Sequence, residues 1–228
     1  MHPSTNPSPK GVEPATPTGP TNAPAPAPVD PADIRGRKAL LRRRIRRERA
    51  RRADTPQRMR AEAQLARHAA LWAAAQPGPG PVAAFSATHT EPGSLLLDAL
   101  AELEEQPVLL PKIVGTGLRW GEATGPLVEG PFGIREPHHA AADLAAARCL
   151  IVPALACSPA GARLGQGGGF YDRLLSAGSG VSSYRMPVAA LVFSREVTEV
   201  PVEPHDLRVD AIITEDGTLR CPAPSKRA

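Results

Sequence analysis

The stretch Cys149–Leu175, CLIVPALACSPAGARLGQGGGFYDRLL, decides how the rest of the chain is read. Its first half, CLIVPALA, is a continuous apolar run of the length of a buried strand. Its second half places glycines at 165, 167, 168 and 169 and ends in FYDRLL, which has the pattern of a starting helix. Strand, glycine loop and helix N-terminus together form an anion site. Glycines reach positive φ and let a ligand approach the backbone closely. The free N–H groups and the helix dipole then face the negative charge. Arg163 precedes the glycines and Arg173 follows them, so the stretch reads as a phosphate cradle and predicts a nucleotide. The two common fingerprints do not fit. A Walker A loop needs Gly-Lys, which occurs nowhere in the chain, and G-x-G-x-x-G starts at Gly165 and Gly167 but meets Phe170 at its third glycine. A flexible linker is the plain alternative, but an apolar strand and an aromatic helix start do not flank polar linkers.

Outward from this stretch the pattern alternates. PVAAFSA (81–87), PVLLP (107–111), PVAALVF (187–193) and DAIIT (210–214) read as strands, with helices over 95–105 and 170–177. Apolar strands alternating with helices predict an α/β fold with a mainly parallel sheet flanked by helices. The ligand is expected at the carboxyl ends of the strands, where the glycine loop lies. Before the sheet, Asp33–Arg52 reads as an Arg-rich helix with a narrow stripe of Leu40, Leu41 and Ile45. Thr55-Pro56 is an N-cap followed by Pro at the first helical position. The helix it starts runs to about Ala75 and carries Met59, Ala63, Ala66, Ala70 and Ala73 on one face. The PGPGP run at 77–81 ends it.

The 228 residues suffice for one ordinary domain with accessory segments. A disordered Pro-rich tail is expected over 1–33, the α/β domain over 34–220 and a short C-terminal tail over 221–228. No apolar run is long enough to span a bilayer, and the N-terminus lacks a signal-peptide pattern. The three cysteines, Cys149, Cys157 and Cys221, are odd in number and form no C-x-x-C, so a reducing cytosol is the expected compartment. They read as small apolar residues rather than nucleophiles, since no histidine is paired with them. The formal charge of +4 is unevenly placed. Arg35–Arg52 hold eleven Lys or Arg against one Glu, a local +10, which leaves −6 for the rest.

That basic helix supports two functions: a nucleic-acid or acidic-surface arm, or a cap supplying Lys38 and Arg42 to a polyphosphate on the glycine loop. Most of its arginines fit a plain solvated face. Glu91, in SATHTEP, stands at a strand end where a carboxylate accepts paired hydrogen bonds from a heterocycle. A helix-start acid is its alternative. Asp172 and Asp206 are candidate Mg²⁺ ligands, since that ion takes one or two carboxylates plus substrate phosphates. The alternatives are a first-turn acid and a turn residue. His205 has no second histidine at ligand spacing and reads as solvent-exposed.

The block IVPALACSPAGARLGQGGGFYDRLL resembles the signature of the 5-formyltetrahydrofolate cyclo-ligase family. KALLR (38–42), FSATHTE ending at Glu91, LLPK (109–112), PFGIREP (131–137) and PHDLRVDAIIT agree in order and spacing, so the likeness covers about 37–220. It implies a single Rossmann-like domain that couples ATP hydrolysis to ring closure of a folate. It also implies that Lys38, Arg42 and the run Arg163, Leu164, Gly165, Gln166, Gly167, Gly168, Gly169, Phe170 and Tyr171 bind ATP. Ser86 and Glu91 are then folate-side residues, with Gly167 to Phe170 beside the folate, and Asp172 and Asp206 hold Mg²⁺. The partners so implied are a small-molecule folate and ATP, without nucleic acid or membrane, and the expected state is a cytoplasmic monomer. No covalent enzyme intermediate is expected. The chain departs from the pattern in its Pro-rich tail and at Gln166, where many relatives put a basic or aromatic residue.

Overall fold

A computed structural model describes residues 31–103, 105–175, 186–203, 206 and 208–222. The expected tails, His205 and the end of the helix expected over 170–177 lie largely outside these residues. Helix α1 (Pro31–Arg52) is followed by α2 (Pro56–Ala74). Thr55 caps α2 as the sequence predicts: its backbone is extended, its Oγ1 accepts from Arg58 N, and Pro56 takes the first helical position.

One sheet dominates. Its strands are β1 (Val82–Ala83), β2 (Leu109–Val114), β3 (Gly117–Glu122), β6 (Cys149–Pro153), β9 (Val188–Leu191), β10 (Ala211–Thr214) and β11 (Gly217–Arg220), in the order β11-β10-β9-β6-β1-β2-β3. The five inner strands pair in parallel, and β3 and β11 close the edges as antiparallel hairpin partners. Two short hairpins stand apart from it, β4 (Val128–Glu129) with β5 (Arg135–Glu136), and β7 (Ala156–Cys157) with β8 (Arg163–Leu164). Helix α3 (Leu96–Leu103) follows β1, and α4 (Phe170–Leu175) follows the glycine loop.

Side chains alternate between the two faces of the sheet with the period of two that a strand imposes. Cys149 and Ile151 point to one core with Ala189, Leu191, Ala211 and Ile213, under α2 and α3. Leu150 and Val152 point to the other with Val188, Ala190 and Ile212, against which Tyr171, Leu174 and Leu175 of α4 pack. Helix α1 joins neither core. Its Ile45 is buried with Leu155, Ala156 and Leu164 of the β7–β8 hairpin.

Three expectations are corrected. The inward face of α2 keeps Ala66, Ala70 and Ala73 of the expected five, but Met59 and Ala63 are exposed, and Arg58, Glu62, Leu65 and Ala69 are buried beside them. A buried ion pair, Arg58 Nη2 to Glu62 Oε1 at 3.0 Å, occupies positions that a hydrophobic pattern assigns to solvent. The apolar run from Cys149 is not one strand, because it breaks after Pro153 and resumes as β7. The strand that feeds the glycine loop is therefore β8, and Arg163 sits on it. Strand β2 runs on to Val114, past the expected end at Pro111, whereas β10 ends at Thr214 as expected; the edge strands β3 and β11 are not among the expected strands.

Candidate active site

Chain order sets the location. From β1 the sheet grows one way through β2, and from its neighbour β6 the other way through β9 and β10. The carboxyl ends of β1 and β6 diverge there, which opens a crevice. A cleft of about 550 Å³ lies at this point. Phe85 and Ser86 continue β1 into it, Pro153 ends β6 in it, and Pro111 of β2 joins them. Glu91 and Thr88 form one wall, and Gly165, Gln166, Gly168, Gly169, Phe170, Tyr171 and Asp172 the other.

The wall bearing Glu91 is held from behind. Glu62 Oε2 accepts from Gly93 N at 2.7 Å and Ser94 N at 2.9 Å. Arg58 donates to the carbonyls of Thr90 and Glu91 at 3.3 and 2.7 Å. The buried pair on α2 thus fixes the SATHTEP loop. Glu91, 7 % exposed, accepts at Oε2 from Thr88 N and Thr88 Oγ1 at 3.0 and 2.9 Å, and at Oε1 from Gln166 Nε2 at 3.0 Å.

The glycine loop is strapped from both sides. Gly167 and Gly169 have φ of 109° and 68°, the left-handed region that favours glycine. A Cβ on Gly169 would also stand 2.6 Å from Arg173 Nη1. Arg173 Nη2 holds Gly168 O at 2.9 Å. From α1, Arg42 Nε donates to Gly165 O at 2.9 Å, and Arg46 donates to the carbonyl and the side-chain oxygen of Gln166 at 2.6 and 3.1 Å. Arg49 forms a bidentate buried pair with Glu196 at 2.8 and 2.7 Å and reaches Ala154 O at 2.7 Å. Burial pushes the Glu196 carboxyl up, and the Arg49 contact opposes that shift.

Not every expected site residue meets in the cleft. Ser86, Glu91, Arg163, Gly165, Gln166, Gly168, Gly169, Phe170, Tyr171 and Asp172 line it. Lys38, Arg42, Leu164, Gly167 and Asp206 do not. The Leu164 side chain belongs to the core under α1. Lys38 is buried and ion-paired with Glu203 at 2.7 Å and Asp206 at 2.5 Å. Asp172 pairs with Arg163 at 2.7 Å. Each expected metal ligand therefore lies against an expected phosphate-binding cation, and no group of three or more His, Cys, Asp or Glu is placed to hold a metal among the described residues. Burial raises the Tyr171 phenol, with Arg163 opposing, so at neutral pH it is a hydrogen-bond donor.

The sequence reading passed over Arg46, Arg49, Phe132 and Glu136. Phe132 stands exposed at the rim with φ of 62°, a strained value for an aromatic residue. Glu136 is buried, accepts from Ile113 N at 2.9 Å and fits only because Gly130 carries no Cβ. Both lie in PFGIREP, where no charge pair or glycine repeat singles them out. The cysteines have no part in the cleft, and burial pushes the Cys157 thiol up to about 12.

A doubly wound sheet with a glycine loop facing its switch point is the architecture of enzymes that bind small molecules carrying phosphate. The sequence profile of the 5-formyltetrahydrofolate cyclo-ligase family matches residues 34–215. The chain is 39 % identical over 145 residues to the 5-formyltetrahydrofolate cyclo-ligase of Mycolicibacterium smegmatis, covering 58 % of this chain and 72 % of that one. Among solved structures it resembles Aquifex aeolicus 5,10-methenyltetrahydrofolate synthetase, with TM-score 0.64, 24 % identity, and 84 % of this chain and 96 % of that chain covered. The Mycoplasma pneumoniae 5,10-methenyltetrahydrofolate synthetase follows, with TM-score 0.57, 18 % identity, and 78 % and 98 % covered. The chain belongs to the 5-formyltetrahydrofolate cyclo-ligase family and is an enzyme, a ligase of folate one-carbon metabolism. No described helix is long and apolar enough to cross a membrane.

Proposed function

We propose that the protein uses ATP and Mg²⁺ to cyclise 5-formyltetrahydrofolate to 5,10-methenyltetrahydrofolate, releasing ADP and phosphate, and that it does so in the cytoplasm. One observation carries this reading: Glu91 and the glycine loop face each other across one cleft and touch through Gln166. A folate on the Glu91 wall and a triphosphate on the glycine wall are then neighbours.

The chemistry needs little from the protein beyond position and charge. An amide-like formyl oxygen is a poor leaving group. Transfer of the γ-phosphoryl breaks its bond to ADP and forms one to that oxygen. The nitrogen at folate position 10 then attacks the activated carbon, the carbon–oxygen bond breaks, phosphate leaves and the attacking nitrogen gives up its proton. Arg163 and Arg46, which line the cleft, with Arg42 behind the loop, supply positive charge for the phosphoryl group. Asp172, about one-third exposed and lining the cleft, is the carboxylate that would hold Mg²⁺, an ion that completes its shell with phosphate and water; Asp206, outside the cleft and paired with Lys38, does not fit that role. Mg²⁺ would neutralise phosphate charge as it builds up. Glu91 orients the pterin, and Ser86 and Phe132 bound its seat. Burial, which pushes the Cys157 and Cys221 thiols up, agrees with a path that has no covalent enzyme intermediate.

The test is the appearance of methenyltetrahydrofolate absorbance from 5-formyltetrahydrofolate. It should require both ATP and Mg²⁺, with one ADP formed per product. Product formed without ATP consumption, or none under any condition, would overturn the proposal.

A further inference from the structure

Glu91 is already occupied in this structure, and by the glycine loop itself. Its Oε2 accepts two hydrogen bonds from Thr88, and its Oε1 accepts one from Gln166 Nε2. A carboxylate offers about four acceptor positions, so one good position is left for a folate N–H. The donor that takes the third is held in place from α1. Arg46 Nε binds Gln166 Oε1 at 3.1 Å and Arg46 Nη2 binds Gln166 O at 2.6 Å. Arg46, Gln166 and Glu91, all three lining the cleft, thus form a continuous chain of hydrogen bonds from α1 through the glycine loop to the folate wall. Arg46 and Gln166 are both exposed, while Glu91 is buried.

We infer that Gln166 is a positioning residue that couples nucleotide binding to folate binding by competing for Glu91. The inference rests on the folate and ATP reading above. A triphosphate on the glycine loop offers Arg46 an anionic acceptor that can be met bidentately, where Gln166 offers only neutral amide oxygens. Once Arg46 turns to phosphate, the Gln166 amide loses its anchor and Glu91 Oε1 regains its acceptor capacity. The folate then finds both acceptor positions of Oε1 free, while Oε2 stays on Thr88. By linkage the folate, on displacing Gln166, makes Arg46 more available to nucleotide by the same factor.

The experiment is equilibrium binding of 5-formyltetrahydrofolate to the full chain, with and without saturating Mg²⁺ and a non-hydrolysable ATP analogue. The wild type is expected to bind folate on the order of ten-fold more tightly with the analogue present, within the usual range of coupling. Gln166→Leu should bring that ratio close to one, by tightening folate binding when nucleotide is absent. Arg46→Met should do the same, and the double variant should lose no more coupling than either alone, since both act in one chain. A wild-type ratio near one, or a Gln166→Leu ratio equal to the wild type, would overturn the coupling while leaving the proposed reaction intact. Absence of folate and nucleotide binding altogether would overturn both.

Discussion

Glu91 carries the folate side, and its replacement by Gln tests that role. Both carboxylate oxygens accept hydrogen bonds from protein donors. Gln keeps the size but presents one oxygen and one NH₂, so a donor meets a donor on one side. A charged hydrogen bond lost with its partner left unpaired costs on the order of 1–3 kcal/mol. At about 1.4 kcal/mol per decade, the Michaelis constant for 5-formyltetrahydrofolate should rise about ten- to a hundred-fold. The constant for ATP should move less, as steady-state kinetics with each substrate varied will reveal. A mutant impaired for ATP alone would assign Glu91 to the metal and phosphate half. Asp172→Asn should weaken turnover and shift its Mg²⁺ titration upward with the circular dichroism spectrum unchanged, because the amide still accepts from Arg163. An unshifted titration would reduce Asp172 to a partner of Arg163. The side chains the sequence could name share a trait: Glu91, Asp172 and the glycines are types rarely placed at such spots without a reason. Phe132 and Glu136 are ordinary types whose role comes from a rim and a missing Cβ, which only the folded chain displays.

Helix α1 teaches a different lesson. Its inward face is Lys38, Arg42, Ile45 and Arg49, spaced by three or four residues as one side of a helix must be, with Arg46 at its exposed margin. Because most of these are cations, a search for apolar periodicity finds only Leu40, Leu41 and Ile45, of which Leu40 is exposed, and most of the arginines read as a solvated face. Charge disguised the pattern in α2 as well, where Arg58 and Glu62 are buried. The sheet was easier to read because its parallel strands are buried on both faces and stay apolar throughout. Its edge hairpins were not, since β3 and β11 expose most of their residues. Arg49→Met tests the cationic face. It leaves Glu196 buried without its counter-ion, a change that typically costs about 3–5 kcal/mol. The sign with pH follows from the raised Glu196 carboxyl. A folded pKa above the unfolded one, about 4.3, means the native state binds more protons. The variant's stability should therefore be greatest at low pH and fall as pH rises from the ordinary carboxylate range through the raised value. Urea melts at several pH values will measure it, and a variant whose deficit against the wild type is flat with pH would mean that Glu196 finds another partner.

For the molecule as a whole, α1 is the first element among the described residues, and the Pro-rich composition of 1–31 carries no apolar pattern with which to build a site. Deleting 1–31 should leave turnover within a few-fold. Extending the deletion through Arg42 removes the Lys38 pairs and the Gly165 contact together, and ATP-dependent turnover should vanish. A longer deletion that stays active would detach α1 from the site. The cleft itself has two halves of different origin: the Glu91 wall is braced by α2, its neighbour in sequence, whereas the glycine wall is braced by α1, far from it.

That last asymmetry bears on how the chain is made. The partners of α1 lie 105 to 168 residues downstream, from Ala154 to Asp206. At synthesis rates of about 5–20 residues per second, α1 leaves the ribosome on the order of ten seconds before its partners exist. It must wait as an isolated, highly charged helix, which cannot collapse on itself and stays soluble. The first helix translated is thus among the last to dock, and the nucleotide side of the cleft closes only when synthesis is nearly complete.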